Sequence, residues 1–96
     1  MDEISVSDNS KAHRYELRLG AEVAAHADYQ VEGDVLVLTH TEVQPAYEGK
    51  GLGSKLASGT LDDVGKRGLK VRPVCEFMAS YIERHPQYAQ LVDSDA

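Results

Sequence analysis

Val35-Leu36-Val37-Leu38-Thr39-His40-Thr41 is followed, after Gln44-Pro45, by Tyr47-Glu48-Gly49-Lys50-Gly51-Leu52-Gly53-Ser54-Lys55-Leu56, and this change of pattern decides the fold. Four apolar residues in a row open the first segment, as expected of a strand covered on both faces and so central in its sheet. The segment then turns polar. Beyond Pro45 the apolar period becomes helical: Leu52, Leu56, Thr60/Leu61 and Val64 recur, with Lys55, Ser58, Asp62, Asp63 and Lys66 on other faces. Lys66-Arg67-Gly68 ends that helix, with cations in the last turn and glycine just past it. Leu69 to Val74 reads as a strand after a helix, hence parallel to an earlier strand. Pro73 lacks an N–H, so pairing stops or splays there. Phe77/Met78 and Tyr81/Ile82 share one face of a short helix that breaks before His85-Pro86. A last turn, Gln87 to Val92, packs Tyr88 and Leu91.

Upstream, Tyr15, Leu17 and Leu19 alternate with Arg14, Glu16 and Arg18, and Val23, Ala25, Ala27, Tyr29 and Val31 alternate with His26, Asp28 and Gln30. Both are half-buried strands by their period of two. A two-residue loop at Gly20-Ala21 pairs Leu19 with Glu22 and sets the apolar residues on opposite faces. A three-residue loop pairs Leu19 with Val23 instead, so the pattern favours the longer loop or a bulge. Residues 1–11 are polar and read as a loose arm, 12–92 as one domain, and 93–96 as an acidic tail. The order β-β-β-α-β-α predicts an α+β domain with helices packed on a mixed sheet.

The chain has 96 residues, 42% hydrophobic and 27% charged, which suits one small globular domain. Its net charge of −6 argues against a general nucleic-acid binder and against adhesion to anionic membranes. Cys75 is the one cysteine, so no intrachain disulfide forms and a structural zinc site lacks ligands. A lone thiol, with no apolar run of membrane-spanning length and no basic-then-apolar opening, leads to the expectation of a cytosolic protein.

The glycine loop carries the chemistry. Glycine lets the backbone approach a ligand closely, and the first N–H groups of the helix lack internal partners. The positive end of the helix dipole favours phosphate there. Lys50 and Lys55 add local cations to an acidic chain. The P-loop triplet is absent, and a dinucleotide fingerprint begun at Gly51-x-Gly53 fails because its third glycine position is Leu56. The alternative is a turn that merely starts a helix.

Gly51-x-Gly53 entering a helix after a mixed apolar-polar strand resembles the coenzyme A signature of GNAT acetyltransferases, (Gln/Arg)-x-x-Gly-x-(Gly/Ala). The chain is more closely similar to a small single-domain branch of that superfamily. Four segments carry the likeness: His40 to Val43, Gly49 to Gly53, Pro73 to Cys75 in a Pro-x-Cys motif, and Tyr81 to Tyr88. Glu48 stands at the usual Gln/Arg position, a departure that leaves the backbone N–H groups, helped by Lys50 and Lys55, to carry the contact. Full-size enzymes also have an N-terminal wall to the acceptor pocket that nothing before Lys11 supplies. The acceptor site is therefore expected to be open or completed by another molecule.

The resemblance implies acetyl-CoA as cofactor, with the pantetheine arm along Thr41 to Val43 and the pyrophosphate on Lys50 to Ser54. The cofactor-binding set is then Thr41, Val43, Gly49, Lys50, Gly51, Leu52, Gly53, Ser54 and Lys55, with no metal. Cys75 faces the thioester in that likeness, and Tyr81 matches a tyrosine that protonates the leaving thiolate. Phe77 and Tyr81 at i, i+4 also fit a plain apolar stripe. His40 lies on the face opposite Thr39 and Thr41, and Glu42 shares that face; either is a candidate base, since an amine must shed a proton to attack a thioester. His13, His26 and His85 lack metal-ligand spacing; His26 reads as strand surface and His85 as a helix end. The expected function is acetyl transfer from acetyl-CoA to an amine acceptor, small molecule or protein, directly or through Cys75. A non-catalytic coenzyme A-binding module and a protein-interaction module are the alternatives, and the oligomeric state stays open.

Overall fold

Residues 3–93 are described by a computed structural model. Strand β1 (Ile4–Asn9), β2 (Arg14–Leu19), β3 (Glu22–Glu32) and β4 (Val35–Val43) form an antiparallel meander. A short 3-10 turn (Pro45–Tyr47) and the glycine loop lead into helix α1 (Leu52–Lys66). Strand β5 (Lys70–Pro73) then pairs parallel to β4, followed by helix α2 (Glu76–Arg84) and a 3-10 segment (Pro86–Leu91). The sheet order is β1-β2-β3-β4-β5. The α+β class and mixed sheet are as expected, with β4 central and Val35 to Leu38 all buried.

One strand is a correction. Ile4–Asn9, expected as part of a loose arm, pairs along its whole length with β2. Tertiary contacts hold it. An added Cβ at Gly59 of α1 would lie 2.7 Å from the Val6 Cβ, so the bare glycine lets β1 lie against the helix. Asp8 accepts hydrogen bonds from Tyr29 Oη (2.5 Å) and Arg67 Nη1 (3.0 Å), while Tyr15 Oη donates to Asp63 of α1 at 2.6 Å. At the other end, Asp93 of the expected tail is tied by its N–H to the Val71 carbonyl and by its carboxylate to Arg72; 94–96 lie outside the described residues.

The β2–β3 turn resolves the two loop alternatives. Leu19 pairs with Glu22 across Gly20-Ala21, and a bulge at Ala24 restores the register so that Leu17 meets Ala25 and Tyr15 meets Ala27. Residues opposite each other in a ladder share a face. The face bearing Tyr15, Leu17, Ala25, Ala27, Tyr29, Leu36 and Leu38 joins Leu52, Leu56, Leu61 and Val64 of α1 and Met78, Tyr81 and Ile82 of α2 in one core. Burying each such large apolar side chain contributes about 1.5–3 kcal/mol. The other face carries the buried Val35 and Val37 and is polar elsewhere: Glu16, 2% exposed, is held there by Arg14 (2.8 Å), Arg18 (2.9 Å) and Asn9 (3.1 Å). No helix among the described residues is long and apolar enough to cross a membrane.

Candidate functional site

Strands β4 and β5 part company at one point. Their last pair is Leu38 with Pro73, and the Cys75 N–H then donates to the Leu38 carbonyl at 2.8 Å. Beyond it, Thr39 to Val43 of β4 run on while the chain turns away into α2. The proline expected to splay the pair stands at that point.

A second irregularity sits on the same strand. Tyr29 pairs with Leu38 but Asp28 pairs with His40, which leaves Thr39 as an extra, bulged residue. Without it, the alternation begun by Leu36 and Leu38 would carry His40 and Glu42 to the helix face. With it, Thr41 (opposite Ala27) and Val43 (opposite Ala25) take that face instead. The Cys75 thiol accordingly donates to Thr41 Oγ1 at 3.2 Å on the helix side. His40 and Glu42 project from the polar face, 3.2 Å apart and more than half exposed, opposite Asp28 and His26. His26 Nδ1 lies 3.1 Å from Asp28 Oδ1, so His26 is a strand-surface residue with a carboxylate partner.

Past the end of β4 lies an open groove of about 370 Å³, lined by Val43, Tyr47, Glu48, Gly49, Gly51, Leu52, Gly53, Ser54 and Phe77. Gly49 (φ +82°) and Gly51 (φ +73°) adopt left-handed backbone that a side chain would strain. Gly51 is the N-cap of α1, and no side chain caps the helix. Its first N–H groups therefore stand at the groove with their intrinsic preference for anions. The segment leading into the groove is tied to β3: the Gln44 side chain donates to the Val23 carbonyl at 2.6 Å, and Tyr47 Oη donates to Glu22.

The groove gathers Val43, Gly49, Gly51, Leu52, Gly53 and Ser54 of the expected binding set. It leaves out Lys50, whose ammonium stands 6.0 Å from the Tyr47 ring centroid, and Lys55, exposed on α1. Thr41 and Cys75 stand together where the strands part. Tyr81 is 5% exposed, its ring stacked 3.9 Å from that of His85, whose Nδ1–H donates to the Tyr81 carbonyl. The expected shared face of α2 needs one correction: Met78, Tyr81 and Ile82 are buried, but Phe77 is 37% exposed and turns to the groove. Tyr47 and Phe77 were thus not among the expected site residues. The aromatic character of Tyr47, immediately before the glycines, was the one signal available for it. Among the described residues no group of three or more His, Cys, Asp or Glu is placed to hold a metal ion.

The family model described as GCN5-related N-acetyl-transferase matches residues 14–91. The chain belongs to that family. Among curated relatives, Protein NATD1 of Gallus gallus is 34% identical over 85 residues, covering 86% of this chain and 77% of its own length. Protein NATD1 of Homo sapiens is 33% identical, covering 86% and 75%. Two solved structures share the fold of this GCN5-related chain. A GCN5-like protein from Staphylococcus aureus superposes with a TM-score of 0.68 at 21% identity, covering 95% of this chain and 87% of its own. The ribosomal-protein-S18-alanine N-acetyltransferase from Escherichia coli superposes with a TM-score of 0.63 at 20% identity, covering 88% and 76%. A general acetyltransferase role follows from the family.

Proposed function

We propose that this chain binds acetyl-CoA and transfers its acetyl group to an amine acceptor, with Cys75 as an acetyl carrier. The observation that carries the reading is the groove at the uncapped start of α1, which suits a pyrophosphate. Val43 on its lining lies two residues along β4 from Thr41, whose hydroxyl meets the Cys75 thiol where β4 and β5 part. The coenzyme enters from the helix side, its arm along the β4 edge that β5 has left.

In the carrier route, Cys75 Sγ attacks the thioester carbonyl, and a new C–S bond replaces the one to coenzyme A. The thiol proton reaches the departing coenzyme A thiolate by way of Tyr81, the assigned relay, whose hydroxyl gives its proton to the thiolate and takes up the one that Cys75 releases. The amine then attacks the acetyl-cysteine: a C–N bond forms, the Cys75 C–S bond breaks, and the amine proton goes to a base. His40 and Glu42, hydrogen-bonded on the polar face, are the assigned base pair for an acceptor arriving from that side. Splitting one acyl transfer into two is the general advantage of a covalent carrier.

Intact-mass spectrometry tests this. Incubation with acetyl-CoA should add one acetyl group, removable by hydroxylamine, and Cys75→Ala should lose the adduct while retaining coenzyme A affinity in calorimetry. Full turnover of an amine panel by Cys75→Ala would replace the carrier with direct transfer. Binding without turnover by the unsubstituted chain would make it a coenzyme A-binding module.

A further inference from the structure

Gly51 and Gly53 look alike in the sequence, but they are glycines for different reasons. Gly51 needs its left-handed backbone; Gly53 lies inside α1 and has no such need. What occupies the space of its missing side chain is a ring. A Cβ on Gly53 would stand 2.9 Å from Phe77 Cζ, closer than carbon atoms pack, with Cε1 next at 3.4 Å. Phe77 is also the large apolar residue of α2 left out of the core, between the buried Met78 beside it and the Cys75 N-cap two residues before.

We propose that Gly53 is bare on behalf of Phe77, and that the seated ring is the wall that selects ligands carrying the pantetheine arm of coenzyme A over the bare nucleotide. This rests on the reading of the groove as the coenzyme site and adds to it which part of the ligand is sensed there. Phosphates are held by N–H groups and charge, and a phenyl ring offers neither. An arm with methyl and methylene groups gains by covering an exposed ring. Phe77 follows the Cys75 N-cap by two residues and lines the groove, with Val43 and Leu52 adding to the apolar lining. A side chain on Gly53 would unseat the ring even if it left the helix N–H groups untouched.

Titration calorimetry with two probes separates the parts: coenzyme A, and ADP carrying a ribose 3′-phosphate, which is the same nucleotide without the arm. Phe77→Ala should weaken coenzyme A about tenfold, the scale of uncovering part of one aromatic ring, and leave the nucleotide unchanged. Phe77→Leu should recover part of the loss. Gly53→Ala should weaken coenzyme A in the unsubstituted chain but add nothing in the Phe77→Ala background, with thermal unfolding showing each variant folded. Equal loss for both probes on Phe77→Ala, or no loss for coenzyme A, would overturn the assignment. So would a Gly53→Ala penalty undiminished in the Phe77→Ala background, because the glycine would then serve the ligand directly. Failure of the unsubstituted chain to bind coenzyme A at all would overturn the function itself and this assignment with it; binding with the wrong pattern of variants overturns the assignment alone.

Discussion

Glu48 is the residue least suited to an anion in the groove, a carboxylate on the lining beside the uncapped helix start. Replacing Glu48 with Gln or Arg should tighten coenzyme A binding by about 1 kcal/mol, near fivefold, the scale of one unfavourable charge contact at an exposed site. Calorimetry giving weaker binding in both variants would show that the carboxylate does not face the ligand. The same scale shows where sequence reading stops. Gly49, Gly51 and Leu52 were legible because a glycine loop before a helical period has few other uses. Phe77 was not, since at i, i+4 from Tyr81 on a helix of little more than two turns it satisfies an apolar stripe equally well. Only the packing of α2 on α1 shows that Tyr81 turns inward and Phe77 does not. His40 and Glu42 were placed on one face together, but that this face is the polar one depends on Thr39, which carries no sign of a bulge in its identity.

Among the elements, β1 is the one the sequence concealed. Ile4-Ser5-Val6-Ser7-Asp8-Asn9 alternates, yet its two apolar residues are too few to distinguish it from a polar arm. Its order comes from partners far along the chain: the space at Gly59, and Tyr29 and Arg67 around Asp8. By contrast, α1 announced itself by period and by both of its ends. Gly59→Ala should therefore act on β1 more than on α1, although alanine is the better helix former. Overpacking against Val6 should cost about 1–3 kcal/mol. Hydrogen exchange should show β1 amides released ahead of the rest of the sheet, and Val6→Ala should restore little of that protection to the Gly59→Ala variant, because the Val6 Cβ that the new methyl meets at 2.7 Å remains in alanine. Unchanged exchange in β1 would mean that the strand does not depend on that contact.

For the molecule as a whole, stability is bounded on both sides of neutrality by buried ionisable groups. Burial pushes the Glu16 carboxyl up, but hydrogen bonds from Arg14, Asn9 and Arg18 outweigh it and bring the pKa from its ordinary 4.5 down to about 2. A carboxyl lowered in the folded state stabilises it above the unfolded pKa, so this contribution is lost as pH falls from 4.5 toward 2. Tyr29 behaves oppositely. Burial, then its hydrogen bond to Asp8, raises it to about 12, and burial with Asp62 does the same for Tyr88. Tyr15 moves in the same direction, by burial first and Asp63 second. The unfolded chain gives up these protons first, so stability should also decline as pH climbs from 10 toward 12. Denaturant titrations across pH should trace both limbs. Glu16→Gln should flatten the acid limb and leave the alkaline one, whereas Tyr29→Phe should flatten part of the alkaline limb alone. An acid limb unchanged by Glu16→Gln would place its origin in other carboxylates.

Thr39 acts as a parity bit. Side chains along a strand are sorted into odd and even, and one supernumerary residue inverts every assignment downstream of it. The inversion sends a threonine and a valine toward the helix side and a histidine and a glutamate toward solvent, from a stretch whose plain alternation would do the reverse. The division of labour between the two sides of β4 is thus encoded in a count rather than in any side chain's chemistry. Thr39→Ala keeps the count and should be nearly silent in thermal unfolding. Deleting Thr39 should be severe, because it would turn His40 and Glu42 against the helices and expel Thr41 from the neighbourhood of Cys75.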